Sequence, residues 1–193
     1  VMAKVREAVP TLKRFYIADG PADEEWITGT YEALIDDADD TPIICEPEDE
    51  NAMLNLYYTS GTTGNPKGVL YSHRSTVLHT YATLMPDALG MSGGDVVMPI
   101  VPMFHANAWG APFSGWLAGS NFVLPGPHLQ PDKLAQLITL TRPTFAAAVP
   151  TILNDLLLMH NQEPLDLSCF RVLISGGSAV SPTLIERVRA AWG

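Results

Sequence analysis

Cysteine is scarce in this chain, with only Cys45 and Cys169 among 193 residues. Two cysteines cannot supply the disulfide framework of a small secreted domain, so we expect two buried, reduced thiols. Lys and Arg are also few, 11 against 21 Asp and Glu, and they form no basic stripe, which argues against nucleic-acid binding. No signal peptide or targeting segment is evident at the start, so the cytoplasm is the expected compartment.

The net charge of −10 is concentrated in one segment. Residues 21–50 hold 12 carboxylates and no Lys or Arg, which leaves 9 acids and 11 bases elsewhere. We interpret 1–20 as a helix–strand lead-in, 21–50 as an acidic connection, and 51–193 as a nucleotide- and acyl-binding subdomain. The aspartates at 36, 37, 39 and 40 lack the glycine-turned spacing of a metal loop, so a solvated surface is favoured over metal binding.

Charge is absent from residues 96–131. A run of this length raises the question of a membrane span, but repeated Pro and Gly would interrupt any helix through it. The run instead predicts a strand, a loop, a short helix and a second strand. We also expect it to contribute apolar lining near the site, from Met103, Phe104, Trp109, Phe113, Trp116 and Leu117.

Strands and helices are predicted to alternate, which indicates an α/β fold with a mostly parallel sheet and helices on both faces. The predicted strands are 14–18, 53–58, 96–100, 121–124, 145–149 and 171–174. Helices are predicted at 73–85, with Ser72 as N-cap, at 131–140, and after Ser181, with Pro182 as first residue. In such sheets ligands bind outside the carboxyl ends of the strands, where each motif described below falls.

The strand at 53–58 is mostly apolar and aromatic, which predicts that it is buried. The ten residues after it have the composition of a phosphate-binding loop. They are Thr59, Ser60, Gly61, Thr62, Thr63, Gly64, Asn65, Pro66, Lys67 and Gly68. Glycines let backbone N–H groups converge on an anion, hydroxyls donate to phosphate or ligate a divalent ion, and Lys67 adds a mobile positive charge. A Walker A loop needs Gly before the lysine and Ser or Thr after it, where this chain has Pro66 and Gly68. We therefore predict a nucleotide-phosphate site of another kind.

The stretch from Tyr58 to Val69 resembles the signature of the adenylate-forming superfamily, which includes acyl-CoA synthetases, peptide-synthetase adenylation domains and luciferases. Matching segments follow in the family's order at 72–74 (Ser-His-Arg), 102–110 (Pro-Met-Phe-His-Ala-Asn-Ala-Trp-Gly), 149–151 (Val-Pro-Thr) and 176–179 (Gly-Gly-Ser-Ala). The version with His105 and Trp109 is most similar to fatty acyl-CoA synthetases, which convert a carboxylate to acyl-AMP and pass it to coenzyme A. The resemblance thus implies ATP, Mg²⁺, coenzyme A and a fatty acid.

The resemblance also implies roles for individual residues. Ser60 to Gly64 are expected to bind the β- and γ-phosphates with Lys67, and Thr59 to contact Mg²⁺. His105, which taken alone would more often be a structural hydrogen-bonding residue, is implied as a catalytic contact to the carboxylate or α-phosphate. Gly176, Gly177 and Ser178 are implied at the adenylate, Gly177 also at the acyl group, and Trp109 at the gate of an acyl tunnel.

The family's later Tyr-Gly-x-Thr-Glu motif, its ribose-binding Asp and its C-terminal domain with a catalytic lysine have no counterpart before Gly193. We therefore expect part of the large N-terminal domain of a longer enzyme, inactive by itself. Two alternatives stay open: another adenylate-forming enzyme, for aryl or amino acids, and a non-catalytic nucleotide-binding module. An amino-acid activator would want a buried acid for the ammonium, and 96–131 contains none. A homodimer is an assembly that the sequence also leaves open.

Overall fold

A computed structural model describes residues 2–59 and 64–193, and the chain divides into two units, Val1–Glu46 and Pro47–Gly193. The first unit contains helices α1 (Met2–Ala8) and α2 (Tyr31–Asp36) and a parallel pair of short strands, β1 (Tyr16–Ile17) and β2 (Gly29–Thr30). The rings of Phe15 and Trp26 meet edge to face, with centroids 5.3 Å apart. The acidic segment 21–50 therefore includes a strand and a helix.

The second unit begins with an antiparallel hairpin, which corrects one of our predictions. Strands β3 (Met53–Thr59) and β4 (Lys67–Ser72) pair directly, and the predicted phosphate loop connects them. We expected the strand at 53–58 to be buried, but Leu56 and Tyr58 are exposed. An apolar and aromatic run is typical of both kinds of strand, and β4 escaped prediction because Lys67, Gly68 and Ser72 weaken its apolar pattern.

The centre of the second unit is a four-stranded parallel sheet with the order β6-β5-β7-β8. Its strands are β5 (Val96–Pro99), β6 (Asn121–Phe122), β7 (Phe145–Ala148) and β8 (Val172–Ser175). The remaining helices are α3 (His73–Leu84), the one-turn element α4 (Ala106–Trp109), α5 (Ala111–Ala118), α6 (Pro131–Thr141), α7 (Pro150–Gln162) and α8 (Pro182–Trp192). The predicted α/β class is confirmed.

Helices cover both faces of this sheet, because alternate residues of β7 pack against different helices. Ala146 and Ala148 pack with residues of α6, α7 and α8 such as Leu134 and Leu153. Phe145 packs on the other face with residues that include Ala111 of α5. A strand covered on both sides has no solvent-facing positions, which explains why the sequence of β7 is continuously apolar.

Two helix starts follow local rules that the sequence displays. The Ser72 hydroxyl accepts a hydrogen bond from the Ser75 backbone N–H at 3.1 Å, and the Ser75 hydroxyl bonds in return to the Ser72 backbone N–H at 3.0 Å. The Ser181 hydroxyl accepts from the Leu184 N–H at 3.1 Å, with Pro182 as the first helical residue. Both predicted N-caps are confirmed.

The prediction of two buried thiols is wrong for Cys45, which is exposed, while Cys169 is half-buried.

A buried polar network ties the amino-terminal ends of three strands together. Asp95, only 3% exposed, precedes β5 and accepts hydrogen bonds from Arg171 at 2.7 Å and from the Thr144 hydroxyl at 2.7 Å. The backbone N–H of Ser92 donates to the same carboxylate at 2.8 Å. Burial alone would raise the pKa of Asp95, but these donors outweigh it and hold the pKa at about 2. The network lies at the opposite end of the strands from the motifs at 102–110, 149–151 and 176–179.

Candidate functional site

Three segments that resemble the adenylate-forming superfamily meet at the carboxyl ends of the parallel strands: 102–110, 149–151 and 176–179. Trp109, in the first of them, lies close to the other two. A Cβ atom placed on Gly176 would lie 3.3 Å from the Trp109 ring, and one on Gly177 would lie 3.8 Å from it. Gly177 also approaches Val149, whose Cγ1 would be 3.4 Å from such a Cβ. The indole therefore lies on backbone that larger residues would push away.

The segment that carries Trp109 has an unusual backbone. Ala106, Asn107, Ala108 and Trp109 have φ angles of 46°, 46°, 49° and 57°, and Gly110 has 79°. Left-handed conformations cost roughly 1–2 kcal/mol for each residue with a Cβ, and such strain concentrates at functional sites. At Gly110 an added Cβ would lie 2.8 Å from His79 Cε1, so close packing as well as φ requires glycine there.

Two cavities border Trp109. The outer cleft, of about 260 Å³, lies between the hairpin and the left-handed turn. Its lining includes Asn55, Tyr57, Tyr71, Thr76, Asn107 and Phe113. The inner cavity, of about 230 Å³, lies among core residues such as Met91, Phe145 and Ala147. Both cavities are also lined by Trp109 and His79, so the indole stands between them.

His79 and the two tyrosines of the outer cleft were not among the predicted site residues. The rings of Tyr57 and Tyr71 meet edge to face, with centroids 5.3 Å apart. Burial and, to a smaller extent, the charge of the neighbouring Tyr71 raise the pKa of Tyr57. His79 and Thr83 are four residues apart on α3, and both line the inner cavity. That spacing is the one sequence signal that could have indicated them, and it is shared by many core helices.

Not all of the predicted apolar lining contributes to these cavities. Trp109 and Phe113 do, but the side chains of Phe104 and Trp116 are 90% and 84% exposed. His105 is also exposed, immediately before the left-handed turn, and its backbone N–H donates to the Pro102 carbonyl at 3.2 Å. Ser178 lines a separate cleft together with Pro150 and Thr151.

The phosphate-loop candidate lies at the tip of the β3–β4 hairpin. Thr59 and Lys67 face each other at its base, where the Thr59 hydroxyl is 3.5 Å from the Lys67 carbonyl oxygen. Gly64 has φ = 152°, and a Cβ added to it would meet no atom of the described residues within 4 Å. The predicted ligands Ser60, Gly61, Thr62 and Thr63 lie outside the described residues.

In residues 2–59 and 64–193, no three His, Cys, Asp or Glu side chains gather in a way that could hold a metal ion. Over the same ranges, none of the helices combines the length and apolar character needed to cross a bilayer.

Comparison with known proteins gives consistent matches. Residues 2–193 match the family described as AMP-binding enzyme. The chain is 42% identical to a 3-methylmercaptopropionyl-CoA ligase of Ruegeria lacuscaerulensis, with all of this chain and 36% of the relative covered. It is 40% identical to a long-chain-fatty-acid–CoA ligase of Thermus thermophilus, with 95% and 33% covered.

A solved structure supports the fold independently. The anthranilate CoA ligase AuaEII in complex with anthranoyl-AMP superposes with a TM-score of 0.86 at 22% identity, covering 100% of this chain and 37% of that one. The chain thus spans about a third of the length of the proteins it matches. Because the family match extends over nearly every residue and relatives of 40% identity or more cover almost the whole chain, we conclude that the chain belongs to the AMP-binding enzyme family.

Proposed function

We propose that this chain forms part of an ATP-dependent fatty acid–CoA ligase, which makes acyl-AMP and transfers the acyl group to coenzyme A. The observation that carries the proposal is the position of Trp109, which lies on the Gly176–Gly177 backbone and borders an apolar cavity. A flat backbone edge suits an adenylate, and an adjoining apolar cavity suits a hydrocarbon tail. The similar proteins described above are CoA ligases for chemically different acids.

In the proposed reaction, a carboxylate oxygen of the acid attacks the α-phosphorus of ATP and the bond to pyrophosphate breaks. The coenzyme A thiolate then attacks the acyl carbonyl, and AMP leaves. Both steps bring two anionic or electron-rich groups together, so alignment and charge neutralisation supply most of the catalysis. No nucleophile from the protein is needed.

The residue roles in this proposal follow the order of the substrate groups. Ser60 to Gly64 and Lys67 bind the β- and γ-phosphates, while His105 donates to the carboxylate or the α-phosphate. Gly176, Gly177 and Ser178 contact the adenylate. The exposed Thr59 hydroxyl at the base of the loop is an oxygen ligand of the type Mg²⁺ takes alongside nucleotide phosphates. Bound there, Mg²⁺ would offset the negative charge of the phosphates.

The cavity linings favour an uncharged tail over an amino-acid substrate. Among the described residues, neither the outer cleft nor the inner cavity is lined by Asp, Glu, Lys or Arg. An ammonium group buried there would lack the partner that offsets its desolvation.

We expect the full-length protein to release pyrophosphate from ATP only when a carboxylic acid is present, and to form a thioester only when coenzyme A is added. The measurement is coupled pyrophosphate release over a panel of aliphatic, aromatic and amino acids, with thioester detected by mass spectrometry. Release of inorganic phosphate and ADP in place of pyrophosphate and AMP would contradict the proposal.

Trp109→Ala is expected to change the ranking of acids by chain length more than it changes the KM for ATP. The indole lines both cavities, so its removal joins them and alters the space for the tail, whereas the phosphates bind elsewhere. The matched control is Trp116→Ala, because Trp116 is 84% exposed on α5 and should leave both quantities unchanged. A changed KM for ATP with an unchanged ranking of acids would show that Trp109 is a nucleotide contact instead.

A further inference from the structure

The left-handed turn that carries Trp109 depends on its surroundings. Its residues 106–109 all have a Cβ and φ angles between 46° and 57°, each at a local cost in free energy. Within the turn, the Ala108 backbone N–H donates to the His105 carbonyl at 3.2 Å, so a displacement of the turn would also move the histidine. Such a conformation persists only where neighbouring groups hold it. The contacts of the next residue, Gly110, show which groups do so.

The carbonyl oxygen of Gly110 is bound by Ser114 of α5. It accepts a hydrogen bond from the Ser114 backbone N–H at 3.1 Å and another from the Ser114 hydroxyl at 3.2 Å. Ser114 is 1% exposed, so its hydroxyl needs its partners inside the protein. The other partner is the hydroxyl of Thr83 on α3, and the two oxygens are 2.5 Å apart. The turn is thereby bonded to α3 through Ser114.

The two hydroxyl protons are sufficient for one continuous chain of hydrogen bonds. The Thr83 hydroxyl also lies 2.7 Å from the Thr80 carbonyl, a common partner for a threonine within a helix. When Thr83 donates to Ser114, Ser114 donates to Gly110. When Ser114 donates to Thr83, the Thr83 proton serves the Thr80 carbonyl. In either order, the bond between the two hydroxyls joins α3 to α5.

Helix α3 connects this contact with the candidate phosphate loop. Its N-cap, Ser72, is the last residue of β4, so the helix starts directly from the hairpin. From Ser72 to Thr83 it rises roughly 16 Å, at about 1.5 Å per residue. Between them, His79 packs against Gly110, where an added Cβ would be 2.8 Å from the imidazole Cε1. One continuous helix therefore contacts both the hairpin and the turn.

We propose that Thr83 and Ser114 are positioning residues for acyl-AMP formation, an inference that rests on the proposed function. Their hydroxyl pair fixes the turn that carries His105 and Trp109 in one place relative to the hairpin that carries Lys67. The reaction joins a carboxylate held at the turn to a phosphate held at the hairpin, so the alignment of the two sets its rate.

Thr83→Val and Ser114→Ala each remove one hydroxyl with little change in volume. In the full-length protein we expect each to lower kcat for acid-dependent ATP–pyrophosphate exchange about tenfold, because small displacements of reacting groups slow a reaction strongly. The KM for ATP should change less than kcat, and the rate should fall equally for all acids. The double variant should lose little more than either single variant, because both remove the same bond. Thr83→Ser keeps the hydroxyl and should restore most of the rate.

Thr80→Val is the matched control for the loss of a buried hydroxyl. Thr80 is 4% exposed on the same helix, and its hydroxyl donates within α3, to the Thr76 carbonyl at 2.7 Å. This variant should be less stable than the wild type but keep its kcat. Deuterium uptake by the backbone amides of residues 106–114 gives a measurement independent of turnover. It should be faster than in the wild type for Thr83→Val and Ser114→Ala, and unchanged for Thr80→Val.

Three results would overturn the positioning role in an active enzyme. They are a wild-type kcat in both hydroxyl variants, an equal loss of kcat in Thr80→Val, and a changed ranking of acids by chain length, which would show that the two side chains act as cavity lining. Without acid-dependent exchange by the wild type, the ligase and the positioning role are both refuted. Faster deuterium uptake in the two hydroxyl variants would then keep the anchoring of the turn alone, and unchanged uptake would refute that as well.

Discussion

Lys67→Ala and Gly64→Val are expected to reduce ATP–pyrophosphate exchange by the full-length protein about 10- to 1000-fold, equivalent to roughly 1.4 to 4 kcal/mol. Lys67 begins β4 at the base of the candidate phosphate loop, and its removal takes away a positive charge from the phosphates. Gly64→Val should have the larger effect, because φ of 152° is a conformation that valine rarely adopts and its side chain would stand where phosphate approaches.

Matched controls separate function from fold in this experiment. Gly126 also has a positive φ and open space around a Cβ position, so Gly126→Val imposes a comparable backbone cost away from the loop. Lys133→Ala removes an exposed lysine on α6 that lies 3.6 Å from Asp132. Exchange rates within twofold of wild type for both loop variants, or equal losses in the controls, would contradict the assignment of this hairpin to phosphate binding.

Asp95→Asn is expected to lower the free energy of unfolding by about 2 kcal/mol at neutral pH, because the buried carboxylate loses charged hydrogen bonds to an arginine that is itself 46% exposed. Asparagine places an N–H donor against the Arg171 guanidinium and removes the charge that donors of Ser92, Thr144 and Arg171 surround. Asp166→Asn is the matched control, because Asp166 pairs with Arg142 at the same 2.7 Å but is 65% exposed, against 4% for Asp95. Its effect should be much smaller, as exposed ion pairs are screened by solvent.

The contribution of Asp95 should depend on pH in a defined direction. Its pKa in the folded protein is about 2, below the ordinary value of 3.8, so the folded state binds its proton less readily than the unfolded chain. The stabilisation is therefore present above about pH 4 and lost as the pH falls from 4 to 2. Urea unfolding followed by circular dichroism between pH 2 and 7 measures it. An Asp95→Asn protein as stable as the wild type at pH 7 would show that the network is not stabilising.

Local rules accounted for the parts of the fold that depend on neighbours in sequence. The caps at Ser72 and Ser181 each use one side chain and a backbone N–H three residues away, which a sequence displays directly. The strand at 145–149 was predicted, and its continuously apolar sequence is typical of a central parallel strand covered on both faces. Family membership was predictable for a similar reason, since its motifs are contiguous runs such as 58–69.

Contacts between distant residues decided the rest. The strand predicted at 53–58 forms an antiparallel hairpin with β4 instead of joining the parallel sheet. Its pairing, as of Thr59 with Lys67, depends on which partner strand is available in the fold. The left-handed turn had no sequence signal beyond Asn107 and Gly110, and surrounding packing holds it against its local cost. Motif and composition alone determined the chemical family. The inner cavity arises only where the Trp109 turn, α3 and β7 pack together, because an unfilled volume is a property of three-dimensional packing.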